Sequence, residues 1–142
     1  MSTVTFSGNE MEKILLVEDE RDVADSVGKM LRQFGYNVIV ARDGEEGIRL
    51  FDEYPSFKCV VTGISMPRAN GNEVAKHVRS SSRRDTPVVA ITGCVEEAIE
   101  KGLFNLFLIK PFRIRSLISA IKTLAPNTTL ESPECQIPQG AC

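Results

Sequence analysis

The chain has 142 residues, with 17 Lys plus Arg against 19 Asp plus Glu, a formal net charge of -2 and 42% hydrophobic residues. That length holds one domain whose core is large enough to fold without a metal or a disulfide. The near-neutral charge, without a block of one sign, argues against nucleic acid or an anionic membrane as the main partner, and no apolar run approaches the ~20 residues that span a bilayer.

Residues 1–11 are polar and aperiodic and lack both the basic start and the apolar centre of a secretory signal. They are expected to be a loose extension of a cytoplasmic protein. Ile14-Leu15-Leu16-Val17 shows no alternation, as in a parallel strand covered on both faces. From Arg21 to Phe34, Val23, Val27, Met30, Leu31 and Phe34 recur at helical spacing, and Gly35 supplies the stop. Val38-Ile39-Val40 predicts a second strand. Asp43-Gly44 opens a second helix that packs through Ile48 and Phe51 and ends before Pro55.

Cys59-Val60-Val61 predicts the third strand, which gives way at Gly63 to a loop through Met66-Pro67. Asn70-Gly71-Asn72 supplies turn and cap chemistry for a helix through Val74 and Val78. Val88 to Ile91 makes a fourth strand, followed by a short helix with Val95, Ala98 and Ile99 that closes at Gly102. Phe104 to Ile109 is the expected fifth strand, and Ile114, Leu117, Ile118, Ile121 and Leu124 form the buried stripe of the last helix. The domain therefore spans 12–125. After it, 126–142 carries three prolines and no periodicity, as expected of a disordered tail.

Strands alternating with helices predict an α/β fold: a doubly wound, five-stranded parallel sheet of (βα)5 flavodoxin-like type. The strand order 2-1-3-4-5 is taken over from that known template. Four of the apolar runs stop at polar groups: Glu18-Asp19, the Thr62-Gly63 end of the third strand, Thr92 and Lys110. In a parallel sheet these ends lie on one edge, where open α/β folds place their sites. Among the cysteines, Cys59 and Cys94 read as small buried hydrophobes, and Cys135 and Cys142 as free thiols of the tail. No CxxC pair supports a zinc or redox centre.

Leu15-Leu16-Val17-Glu18-Asp19-Glu20, Thr62-Gly63-Ile64-Ser65-Met66-Pro67, Ile91-Thr92-Gly93 and Ile109-Lys110-Pro111-Phe112 together resemble the receiver domain of bacterial response regulators, from about Glu12 to Leu124. The resemblance implies a two-component phosphorelay protein rather than an enzyme. In such receivers an acidic pair and a backbone carbonyl hold Mg²⁺, and an Asp ending strand three accepts a phosphoryl group from a histidine kinase. A hydroxyl, an aromatic residue and a Lys sense that group. Carried over, Glu18, Asp19 and the Ser65 carbonyl are the metal positions, and Thr92, Phe107 and Lys110 are the sensing residues. The Lys110-Pro111 bond is expected to be cis, with Lys110 paired to Asp19.

Gly63 falls on the acceptor position. An aspartyl phosphate needs a carboxylate nucleophile, so no phosphorylation is expected there, and Mg²⁺ binding should be weak or absent. The expected function is a stand-alone pseudo-receiver, monomeric or weakly dimeric, whose partner is a histidine kinase or another signalling protein and which contacts neither nucleic acid nor membrane. With no output domain after Leu124, it would act through other proteins, using its last helices and fifth strand. The alternatives are an ordinary receiver whose acceptor Asp has been replaced in this chain, or an enzyme on the same fold. The enzyme reading lacks a GxGxxG or a GxxxxGK[ST] loop. His77 reads as a boundary residue of a helix, Arg79, Arg83 and Arg84 as solvated charges at a helix end, and Thr62 and Ser65 as packing rather than phosphosites.

Overall fold

The computed structural model describes residues 12–93 and 100–124. They form β1 (Lys13–Val17), α1 (Arg21–Gln33), β2 (Asn37–Ala41), α2 (Gly44–Glu53), β3 (Cys59–Gly63), α3 (Gly71–Ser80), β4 (Val88–Thr92), a 3₁₀ turn (Lys101–Leu103), β5 (Leu106–Ile109) and α4 (Ile114–Thr123). The strands pair in parallel in the order β2-β1-β3-β4-β5, which is the expected doubly wound order.

Because successive side chains of a strand point to opposite faces, the unbroken apolar runs feed two cores at once. Ile14, Leu16, Cys59, Val61, Val89, Ile91, Leu106 and Leu108 meet Val27, Leu31, Leu117 and Ile121 of α1 and α4. Leu15, Val17, Val60, Val88 and Ala90 meet Phe51, Val74 and Val78 of α2 and α3. Each strand residue buried in this way contributes about 1.5–3 kcal/mol for a fully covered Val, Leu or Ile, which explains why neither face of the sheet alternates.

Local chemistry sets the element ends. Asp43 caps α2 by accepting the Glu46 N–H at 2.8 Å, and Glu46 returns the bond to the Arg42 N–H at 2.7 Å. At the start of α3 the pair is reciprocal: Asn70 accepts the Glu73 N–H at 3.0 Å, and the Glu73 side chain accepts the Asn70 N–H at 2.9 Å. Gly35 takes φ 96° just beyond α1, where a side chain would be strained. Gly44 lies so close to the loop between β3 and α3 that a Cβ would overlap the Ala69 carbonyl oxygen.

Three sequence expectations are corrected here. The buried line of α1 is Ala24, Val27, Gly28 and Leu31, while Met30 is 39% and Phe34 47% exposed. Small residues let the helix approach the sheet along a line one position away from the bulky stripe. The fifth strand begins at Leu106 rather than Phe104. Asn105 interrupts the ladder: its side-chain oxygen accepts the Val88 N–H at 2.8 Å, and its own N–H donates to the Val88 carbonyl at 2.9 Å. Gly102 lies inside a 3₁₀ turn instead of closing a helix. The helix expected at Val95, Ala98 and Ile99, together with Cys94, Cys135, Cys142, the extension 1–11 and the tail, lies outside the described residues.

Candidate functional site

Strand register brings the polar ends together. Val17 pairs with Thr62, which sets Glu18 level with Gly63, and Gly63 pairs with Ile91, one residue before Thr92. Thr92 pairs with Ile109, and the Lys110 N–H continues that ladder to the Thr92 carbonyl at 2.8 Å. The Glu18 N–H does the same on the other side, donating to the Ala41 carbonyl at 3.0 Å. The pleat places Gly63 on the α1/α4 side, whereas Thr92 shares the α2/α3 side with Ala90 and Phe107.

Glu18 is the electrostatic centre of this edge. Only 3% of it is exposed. Its Oε2 accepts the Glu20 N–H at 3.0 Å, at the start of α1, while its buried Oε1 has no hydrogen-bond partner among the described residues. A Cβ at Gly63 would lie 3.4 Å from that Oε1. The Lys110 ammonium is 3.8 Å from the same atom and 3.3 Å from the Glu20 Oε1. Burial pushes the Glu18 carboxyl above its usual range, against the opposing pull of the Glu20 N–H and the Lys110 charge.

Lys110 thus pairs with Glu18 and Glu20, not with Asp19 as expected. The reason lies in the turn: Glu18 folds back to bind the Glu20 N–H, and Asp19 is left exposed. Glu20 escaped the sequence reading because its position just after the acidic pair reads as the start of a helix. The Lys110-Pro111 peptide is cis, as the resemblance implies. Thr92 is 1% exposed, and Phe107 packs half-buried against the α2/α3 core. Ser65 is exposed, contrary to the packing role expected of it, because β3 has ended at Gly63. Thr62 is fully buried, and its hydroxyl donates to the Gly63 carbonyl at 2.8 Å.

The basic residues also need correction. Arg79 donates to the carbonyls of Leu103, Arg84 and Thr86 and to the Asn105 side chain, at 2.6–3.1 Å. Arg83 donates to the carbonyls of Phe51 and Tyr54 at the end of α2, with its guanidinium 4.0 Å above the Phe51 ring. Both are structural bolts between loops that sequence spacing does not bring together. Arg84 is exposed, as expected of a solvated charge. His77 lies half-buried within α3, at the boundary between core and surface, its Nε2 2.8 Å from Asp52 Oδ1 and its ring edge-on to Phe51.

These residues do not make a complete Mg²⁺ shell. One oxygen of Glu18 is committed to the Glu20 N–H, the other faces an ammonium, and Gly63 offers no side-chain oxygen where a carboxylate could complete the set. Among the described residues, no three His, Cys, Asp or Glu side chains gather where a metal could be held. Octahedral Mg²⁺ is bound through carboxylates with its remaining waters, and here the Glu18 and Asp19 carboxylates stand without a third.

Comparison with known proteins agrees with the fold and the motif order. The profile of the response regulator receiver domain matches residues 14–122. Transcriptional regulatory protein CpxR of Escherichia coli K12 is 34% identical over 119 residues, covering 80% of this chain and 49% of that protein. Response regulator RR06 of Streptococcus pneumoniae is 31% identical over 115 residues, covering 78% of this chain and 52% of that protein. The chain spans about half the length of these curated relatives. Among solved structures, response regulator TrrA of Thermotoga maritima, in complex with Mg²⁺-BeF, superposes with a TM-score of 0.74 at 26% identity, covering 81% of this chain and 100% of that one. Chemotaxis protein CheY4 of Vibrio cholerae gives 0.72 at 28% identity, covering 81% and 99%.

Proposed function

The chain belongs to the response regulator receiver family, and from that membership we propose that it is a pseudo-receiver of a two-component phosphorelay, acting by protein–protein interaction without phosphorylation at residue 63. One observation carries this reading. At the end of β3 the Cβ direction of Gly63 points at the buried Glu18 Oε1, with Lys110 on the same atom. Such surroundings suit an acceptor carboxylate, and the residue among them has no nucleophile. Glycine cannot form an acyl phosphate, so whatever this domain signals is set by which protein binds it.

The partner class that suits such a module is a histidine kinase or another signalling protein of the cytoplasm, engaged by a monomer or weak dimer through the β5 and α4 side. Among the described residues, no helix is long and apolar enough to cross a membrane. CpxR is by name a transcriptional regulator, so net charge alone does not carry the expectation of no nucleic-acid partner. An enzyme on this fold finds no support: Cys59 is buried, and His77 on α3 is held by Asp52 of α2. The intact site around Gly63 also suits a second reading, in which an ordinary receiver has had its acceptor Asp replaced in this chain.

The test is incubation with acetyl phosphate and Mg²⁺ followed by intact mass, for this chain and for Gly63→Asp. The expected result is no adduct on the chain and a labile, acyl-phosphate-like adduct on the variant. A stoichiometric adduct on the chain itself overturns the proposal. Comparison with the encoding gene separates the two readings of Gly63.

A further inference from the structure

We infer that the Lys110 ammonium is the resident cation of this site, so that the pocket stays assembled without metal and a divalent ion reaches Glu18 only by displacing it. The inference deepens the pseudo-receiver reading and rests on Gly63 holding the acceptor position. Glu18 Oε1 is buried and lacks a hydrogen-bond donor among the described residues, so its ionised form calls for a positive charge close by. The Lys110 Nζ lies 3.8 Å away. With no carboxylate on residue 63, Lys110 pairs among the described residues with Glu18 and, at 3.3 Å, with Glu20.

The backbone fixes that choice. The Lys110 N–H is tied to the Thr92 carbonyl at 2.8 Å, so the side chain leaves the end of β5 at a set point. The Lys110 side chain is 29% exposed, so it lies partly against the site. Glu20 sits at the N-cap of α1 and completes a second contact from the solvent side. A divalent ion reaching Glu18 Oε1 would share that oxygen with the ammonium and meet it across about 4 Å, where like charges repel strongly in a partly buried setting.

The experiment is Mn²⁺ binding, read by electron paramagnetic resonance, together with thermal unfolding with and without Mn²⁺. It uses the full chain, Lys110→Met, Lys110→Arg and Gly63→Asp. The full chain and Lys110→Arg should bind Mn²⁺ weakly and keep the same Tm with or without it. Lys110→Met should bind Mn²⁺ at least about tenfold more tightly, as expected when a unit charge of the same sign leaves the site. Its metal-free Tm should fall, and Mn²⁺ should restore it. Lys110→Gln replaces the Met variant if the latter does not fold. Tight, saturable binding by the full chain overturns the inference. So does a Lys110→Met or Lys110→Gln variant that gains no affinity while Gly63→Asp does, because the missing carboxylate alone would then exclude the metal. That second outcome leaves the pseudo-receiver reading standing, which only a phosphoryl adduct on the chain removes.

Discussion

Replacing Gly63 by Asp puts a carboxylate at the proposed acceptor position and should weaken the metal-free fold. The new Cβ would lie 3.4 Å from Glu18 Oε1, which brings two carboxylates to about 4 Å of each other. A like-charged pair at that distance costs on the order of 4 kcal/mol at an effective dielectric of about 20. The fold can limit this by keeping a proton on one carboxyl, which costs an ordinary carboxyl roughly 3 kcal/mol at pH 7. Glu18 pays less than that, because burial already raises its pKa.

Two effects act the other way. Removing a strand glycine recovers roughly 0.5–1 kcal/mol. Lys110, 29% exposed, would gain a further partner worth at most about 1 kcal/mol. The balance is a loss of about 1–2 kcal/mol relative to the present chain, given those glycine and ion-pair magnitudes. Urea unfolding followed by circular dichroism in the presence of a chelator measures it. A Gly63→Asp variant equal to or more stable than the chain refutes the reasoning, since the carboxylate would then have found compensation that the present geometry does not offer.

Other outcomes test the remaining structure. Arg79→Met should cost about 2–4 kcal/mol, because four acceptors lose a charged donor; Arg84→Ala in the same denaturation assay should stay within about 0.5 kcal/mol. Gly44→Ala should destabilise by at least about 3 kcal/mol, because its Cβ would overlap the Ala69 carbonyl and backbone must move. Burial pushes the Cys59 thiol up from 9.0 to about 12. Its folded form keeps the proton that the unfolded chain releases, so the stability it supports is complete below pH 9 and is lost as pH rises from 9 to 12. By pH 11 that loss approaches about 2–3 kcal/mol, and Cys59→Ala should flatten the alkaline slope seen in pH-dependent unfolding.

The sheet was legible because parallel strands covered on both faces leave apolar runs without alternation, as at Ile14 to Val17 and Val88 to Ile91, and because each run stops at a polar residue. The caps at Asp43 and Asn70 were legible for the same local reason: the residue types are those that satisfy helix N–H groups. What sequence spacing could not show were the effects of three-dimensional approach. Ala24 and Gly28 look unremarkable in a helical pattern, yet they decide which face of α1 meets the sheet. Arg79 and Arg83 look like surface charges until the loops they bind are folded against them.

At the site, register placed the polar edge correctly, but the pairing within it depended on one turn. Glu18 binding the Glu20 N–H decides that Lys110 meets Glu18 and Glu20 instead of Asp19. A single-residue shift of that kind is set by hydrogen-bond geometry over two residues and leaves no periodic trace.

The central claim is that a phosphoryl-receiving pocket survives here with only its nucleophile missing. Beryllofluoride tests it directly, because BeF₃⁻ completes its coordination with a carboxylate oxygen of the acceptor. With Mg²⁺ present, ¹⁹F NMR should show no bound resonance for this chain and a protein-bound one for Gly63→Asp. A bound resonance on the unaltered chain would contradict the account, and so would a folded Gly63→Asp variant that fails to bind.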